Sequence, residues 1–451
     1  MTEALIVTDK LRAGFVALAR TTFDIALAEE VMRAARTALE RAGFELIGDA
    51  RLATDLDALD AMKRALADKP LDVLIGFQAT FTDSTLAVRL IERCDAPLLM
   101  WAVPEARTGG RLRLNALCGM NLAGHALKLR GVNYHWLYAS PDDAQAIAQV
   151  TAVAKAGRAW RLLRQTRLGV IGQHPTGFDS CHLDAEQLRR RLGVDVVRFD
   201  LPTVFERARA VNGQIGALRD RLGAHIGNLN VLAREPVNGT LAVYVALKQL
   251  AEEWRCDALA VRCWPEFFTD LGCAACGAMS LLNTDGLPCG CEADAHGALT
   301  QLILQWISGE PAFGTDLVEC DAQEDSAVVW HCGQAPLTMA NPRDGIRGGL
   351  HSNRRLPLVM EFALKPGRVT IARLSRSGGD LRMVIGSGEM LDAPPSFSGT
   401  SGVLRFDRPV RDVLATIIEE GLEHHIALAY GDHTAALRAL ARMLNMPALS
   451  L

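Results

Sequence analysis

The sequence predicts an α/β protein whose first two thirds are parallel-sheet layers and whose C-terminal part is an antiparallel barrel or sandwich. Two observations predict it. Apolar strand-like runs such as LDVLIGF (71 to 77) and APLLMWAV (96 to 103) alternate with stretches of helical period such as LAEEVMRAARTALERAGF (27 to 44), which ends on a glycine stop. Strand and helix in turn imply a parallel sheet covered by helices. After about residue 320 the character changes to short β-rich segments, DSAVVWHC, PLVMEFAL, GRVTIARLS and LRMVIGSGEM, separated by Gly, Pro and Asp turns.

Taken in order, residues 1–160 form the first α/β domain. A second begins near Arg167, where RLGVIGQHPTGFD reads as a strand and loop, and runs through CDALAVRCWPEF to about residue 320. Residues 321–451 form the β-rich domain, closed by the helical stretch HTAALRALARMLN. There is no internal repeat, low-complexity segment or long linker.

At 451 residues and 49% hydrophobic composition, the chain is long enough for two or three buried cores. A net charge of −4 with no long run of like charge argues against nucleic acid or an anionic membrane as the partner. The N-terminal stretch lacks the pattern of a signal peptide, and no apolar run reaches about 18 residues, so a soluble cytoplasmic protein is expected. Eleven cysteines in so large a chain read as reduced, mostly buried thiols. Cys273, Cys276, Cys289 and Cys291 could form a zinc site, but the second pair has C-x-C spacing and the intervening GAMSLLNTDGLP is core-like, so buried thiols are the expectation.

Polar residues gather where strands are expected to end, the place where open α/β sheets bind ligands. Four places stand out: Trp264-Pro265-Glu266, the CEAD segment ending at Asp294, Trp330-His331-Cys332, and Glu423-His424-His425. Each has an ordinary reading: Glu266 as a first-turn residue favoured by the helix dipole, Asp294 as an exposed first-turn residue, His331 as a hydrogen-bonded core histidine. Adjacent histidines on a strand point opposite ways, so one of the His424–His425 pair must face inward. Carboxylates with histidine make an oxygen and nitrogen site that suits Mn²⁺ better than a thiolate zinc centre.

The ordered set RCWPEF, C-x₂-C-G-A-M-S-L-L-N-x-D-G, CEADAHGAL, WHCG and GLEHH-x₃-AYGD resembles the L-fucose isomerase and L-arabinose isomerase superfamily. GFQATFTDST (76 to 85), APLLMWAVPE (96 to 105) and RLNALCGMNLAGHAL (113 to 127) resemble segments that line the sugar site in that group. The resemblance implies two doubly wound α/β domains and a C-terminal β-barrel. It also implies a divalent cation, Mn²⁺ or a relative such as Mg²⁺ or Co²⁺, and a metal-dependent aldose–ketose isomerisation of a pentose, 6-deoxyhexose or related sugar through an enediolate. A sugar epimerase, a lyase and a non-catalytic sugar-binding homologue are the alternatives.

Carried over by position, Glu266 and Asp294 match the metal-binding and catalytic carboxylates, His425 the late histidine, and His331 a further ligand of the arabinose type. Glu292 then reads as a neighbour of the ligands, His296 as lying on the other face of its helix, and His424 as turned into the barrel or toward the sugar. Gln78, Thr80, Thr82, Asp83, Trp101, Glu105, Asn115, His125 and Trp264 are candidate sugar contacts, with Gln173, His174 and Asp179 behind them. In the related enzymes an N-terminal domain completes a neighbouring subunit's site, which implies a homo-oligomer, trimer or hexamer.

Overall fold

A computed structural model of the protein describes residues 10–211 and 213–451. The chain forms two compact units: residues 10–162 with Ala435–Asn445, and Leu163–Thr434 with Met446–Leu451. No helix among the described residues is long and apolar enough to cross a membrane.

The first unit is built on a parallel sheet. Its strands are β1 (Arg12–Leu18), β2 (Glu45–Ile47), β3 (Leu52–Ala53), β4 (Val73–Gln78), β5 (Leu98–Ala102) and β6 (Tyr134–Tyr138). They lie in the order β2-β1-β4-β5-β6, with β3 also on β1, and every pairing is parallel. Strands β1, β4 and β5 are buried along almost their whole length, which is why they read as unbroken apolar runs. Helix Ile25–Arg41 shows how one such layer is covered. Asp24 caps it by accepting from Leu27 N–H, and Ala28, Met32, Ala35 and Leu39 recur at helical spacing on its buried stripe.

The second unit repeats the pattern and adds a barrel. Strands β7 (Arg167–Ile171), β8 (Asp195–Phe199), β9 (Ala258–Val261) and β10 (Cys289–Gly290) form a parallel sheet in the order β10-β9-β7-β8. Strand order reverses between β7 and β9, so the crevice at their C-terminal ends is a topological switch point.

The barrel uses β11 (Phe313–Asp321), β12 (Ser326–His331), β15 (Gly367–Ser375), β16 (Arg382–Met390), β17 (Thr400–Phe406) and β18 (His425–Tyr430). The path β17-β12-β11-β18-β15-β16 closes through a β16–β17 pairing, and all six pairings are antiparallel. Closure leaves no exposed edge among these six strands. Strands β13 (Arg347–Gly349), β14 (Val359–Ala363) and β19 (Ala448–Ser450) add to the outside: β14 joins β17 and β19 joins β16, both in parallel. The fold class expected from the sequence is therefore the one observed.

Helix Ala295–Ser308 joins sheet to barrel. It touches β9 and β10 on one side and β11, β15 and β18 on the other. Ala295 through Ile307 are all buried, as its apolar AHGALTQLILQWI sequence requires of a helix enclosed all round. Its N-terminus places Asp294 between sheet and barrel.

Candidate active site

The loops that leave β7, β9 and β10 at their C-terminal ends meet strands β11, β12 and β18 around a cavity of about 420 Å³. The sheet side supplies Phe178, Cys263, Trp264, Cys291 and Glu292. The barrel side supplies Asp316, Trp330, His331, Cys332, His424 and His425. Antiparallel pairing sets the barrel group, because β11 and β18 align Asp316 directly opposite His425.

Asp294 lies beneath this cavity and is 1% exposed. Its Oδ1 accepts from Gly297 N–H at 2.9 Å as the helix N-cap and from Arg373 Nη2 at 3.0 Å. Its Oδ2 accepts from Arg373 Nη1 and stands 2.9 Å from His425 Nδ1. Burial alone would raise the Asp294 carboxyl, but Arg373 and His425 outweigh it and hold it well below the ordinary carboxylate range.

A carboxylate can only accept, so His425 Nδ1 carries the proton and Nε2 is left with its lone pair. That Nε2 is 3.6 Å from Asp316 Oδ1 and 3.8 Å from Glu292 Oε2. Asp316 Oδ1 is buried and has no hydrogen-bond partner among the described residues. Two carboxylates thus approach the same imidazole nitrogen, and a histidine oriented through its other nitrogen by a carboxylate is the usual support for a cation-binding imidazole. Asp316, His331 and His425 bring ligand atoms within 4.8 Å of one another, as do Cys181, Glu292, His424 and His425, and carboxylate and imidazole donors of this kind suit a divalent ion of intermediate hardness.

Glu292 sits at φ 56°, a left-handed conformation that few residues with a Cβ adopt, followed by Ala293 at φ 55°. This kink turns the side chain into the cavity. Trp264 Nε1–H donates to Glu292 Oε1 at 2.9 Å, and His424 Nε2 lies 3.1 Å from Oε2. Burial works to raise the Glu292 carboxyl, yet the His424 hydrogen bond, the neighbouring His425 and Trp264 leave it below its ordinary value. His424 in turn meets Ser180 Oγ at 2.9 Å through Nδ1, and Phe178 packs edge-on against both His424 and Trp264. Burial lowers the His424 imidazole, but Glu292 and Asp316 raise it overall.

The remaining expected residues are placed as follows. Glu266 is outside the cavity lining: its carboxylate pairs with Arg262 Nε at 3.0 and 2.9 Å, just past β9. His331 lines the cavity, but its Nδ1 accepts from Cys332 N–H at 2.8 Å. In its neutral form His331 therefore presents an N–H to the site through Nε2. His424 is not turned away from His425; the rings are 4.0 Å apart and both line the cavity. Strand β18 starts at His425, so His424 precedes the pleat and the alternation rule does not govern it. His296 is buried with Nε2 unpartnered among the described residues, and burial pushes it down to about 3.

In the first unit, Gln78 Nε2 donates to Thr80 O and Thr82 Oγ1, Thr80 Oγ1 accepts from Arg20 N–H, and Asp83 caps helix Ser84–Ile91. Trp101 Nε1 donates to Ala139 O, and Glu105 accepts from the backbone of Arg113, Leu114 and Asn115. Asn115 is left-handed before helix Ala116–Leu129, which carries His125 on an exposed face. Near β7, Gln173 O accepts from Arg262, His174 packs on His182, and Asp179 opens a short 3₁₀ turn.

Cys273, Cys276, Cys289 and Cys291 are all buried in apolar clusters, Cys276 beside Cys332 and Cys291 beside Cys263. Sequence reasoning passed over Asp316 and Arg373. The available signal was a charged residue within each otherwise apolar barrel strand, in FGTDLVE and VTIARLS.

A sheet switch point facing a barrel, with carboxylates and histidines converging between them, defines the class of sugar aldose–ketose isomerases once comparison with known proteins is added. The "Fucose/sulfoquinovose isomerase, N-terminal domain" matches residues 14–161 and the "L-fucose isomerase, C-terminal domain" matches residues 359–450. Proteins named sulfoquinovose isomerase are similar over nearly the whole chain. That of Priestia megaterium is 32% identical over 96% of this chain and 97% of its own length. That of Alkalicoccus urumqiensis is 32% identical over 97% and 98%, and that of a Clostridium species 30% over 83% and 85%. The chain belongs to the fucose/sulfoquinovose isomerase family.

Proposed function

We propose that the protein converts a C6-modified aldohexose to its ketose at the Glu292–Asp316–His424–His425 cavity, with a divalent cation, Mn²⁺ first, held by Glu292, Asp316 and His425. The observation that carries this reading is the orientation of His425: Asp294 accepts its Nδ1–H, and its Nε2 faces two carboxylates. When bound, the cation would polarise the carbonyl and stabilise negative charge on O1 and O2.

Isomerisation moves one proton from C2 to C1 and another from O2 to O1. Glu292 is held ionised by Trp264 and His424, so it can take the C2 proton and return it to C1. His424, between Glu292 and Ser180, can move the hydroxyl proton from O2 to O1. His331 offers an N–H to a sugar oxygen, and Phe178, Trp264 and Trp330 exclude water from the reacting carbons. The relatives' name supports sulfoquinovose, 6-deoxy-6-sulfoglucose, as the first sugar to test, ahead of pentoses and 6-deoxyhexoses. Family membership supports assembly as a homo-oligomer, trimer or hexamer.

The test is turnover of sulfoquinovose, quinovose and a panel of pentoses by protein stripped of metal and then titrated with Mn²⁺, followed by NMR in D₂O. A ketose formed in proportion to added Mn²⁺ is expected, with deuterium at C1 to the extent that Glu292 exchanges its proton with solvent before returning it. An aldose labelled at C2 with no ketose would assign epimerisation instead, and conversion unaffected by metal removal would overturn the cation.

A further inference from the structure

We propose that Arg354 is the specificity-determining residue of this cavity, an anion receptor that reads a sulfonate or phosphate at C6 of the sugar; this rests on the isomerase reading above. Among the described residues lining the cavity, Arg354 is the one arginine, and none is a lysine. The other charged side chains there are the carboxylates Glu292 and Asp316, each approaching His425. The cavity therefore combines an acid–imidazole cluster suited to the carbonyl and hydroxyls with a cationic side chain across the Trp264 indole from Glu292.

The guanidinium is held without being neutralised. Its Cζ lies 5.0 Å from the Trp264 ring centroid and 5.3 Å from that of Phe268, two aromatic surfaces that fix the plane of an arginine while leaving its N–H edge open. No carboxylate pairs with it among the described residues, whereas Arg262 and Arg373 are tied to Glu266 and Asp294. The turn that carries it is itself fixed: His351 N–H donates to Leu356 O, Arg355 N–H to His351 O, and the His351 ring packs on Phe268 at 5.0 Å. A planar donor fork with no internal partner, at the rim of a pocket, is the geometry that binds a sulfonate or phosphate through paired oxygens.

Trp264 links cluster and arginine. Its indole N–H fixes Glu292, and its ring face carries Arg354. One indole thus sets the spacing between the group that handles the C2 proton and the group that holds the far end of the sugar. A hexose bearing an anion at C6 has its two recognition groups at opposite ends of the carbon chain, and anchoring that tail orients C1 and C2 at Glu292.

The experiment compares the Mn²⁺-loaded full-length protein with Arg354→Met and Arg354→Lys, using sulfoquinovose, glucose 6-phosphate and the uncharged 6-deoxy analogue quinovose. Loss of a charge-assisted contact is expected to lower the ratio of kcat/KM for the anionic sugar to that for quinovose by roughly 30-fold in Arg354→Met. The change should fall mainly on KM, with partial recovery in Arg354→Lys. Whichever anionic sugar shows this collapse identifies the anion. Equal losses on charged and uncharged sugars, or wild-type preference for quinovose over both anions, would overturn the proposal while leaving the isomerase reading intact. No turnover of any aldose by the wild type would instead overturn the isomerase reading. Direct binding of the 6-sulfo sugar to metal-free protein, measured by calorimetry, gives a second readout: unchanged affinity in Arg354→Met would also overturn the assignment.

Discussion

Arg373 closes on both oxygens of Asp294 from strand β15, and the pair is buried to within 2% exposure on either side. The same carboxylate orients His425, so one ion pair beneath the cavity sets the tautomer of the imidazole above it. We propose that Asp294 acts on the chemistry through this neighbour.

Replacing Asp294 with Asn leaves Arg373 buried with Glu423 as its remaining anionic neighbour, at 3.8 Å. Removing one partner of a buried pair typically costs about 3–5 kcal/mol. We expect a marked fall in the unfolding temperature by calorimetry, together with a roughly 10- to 100-fold loss of Mn²⁺ affinity as His425 loses its orienting partner. Unchanged Mn²⁺ affinity in a folded Asp294→Asn protein would sink the orienting role.

The two candidate glutamates are separable by the same substitution. Glu292→Gln keeps the size of the side chain and removes a proton acceptor at the cavity wall, so kcat should fall by roughly 10²- to 10⁴-fold. Glu266→Gln breaks a partly exposed pair with Arg262 and should change kcat less than about threefold. Steady-state kinetics on both variants decide the matter, and the reverse order would return the first carboxylate to Glu266.

Acid sensitivity of the first unit should come in part from His135 on β6. Burial, with help from the nearby Arg442, pushes this histidine down to about 4 from its ordinary 6.5. In the unfolded chain it binds a proton first as pH falls, so its contribution to stability is full above about 6.5 and is lost as pH drops toward about 4. The shift corresponds to about 3 kcal/mol across that window. Urea unfolding of His135→Gln at pH 7 and pH 4 should show a shallower loss than wild type; parallel curves would refute it.

Much of the architecture was legible because periodicity is a local property. Continuous runs such as FVAL and VLIGF announce buried parallel strands, and ADAHGALTQLILQWI announces an enclosed helix, each from neighbours within one element. The approximate address of the site was legible too, since polar residues after β9 and β10 fall where switch-point crevices open. The thiols of Cys273, Cys276, Cys289 and Cys291 were readable as core for the same local reason.

What the sequence by itself determined, then, is the alternation of strand and helix, the change to β-rich structure past residue 320, and the four segments from which a site could be drawn. Only the tertiary structure decided which side chains meet. Asp316 reaches His425 through the register of β11 on β18, Arg373 reaches Asp294 across 79 residues of chain, and Glu292 enters the cavity through two consecutive left-handed residues. Glu266 turns to Arg262 instead. The reason is physical: spacing along a chain fixes the face of one element, whereas a site between sheet and barrel depends on strand register and on the direction in which a kinked backbone aims its side chain.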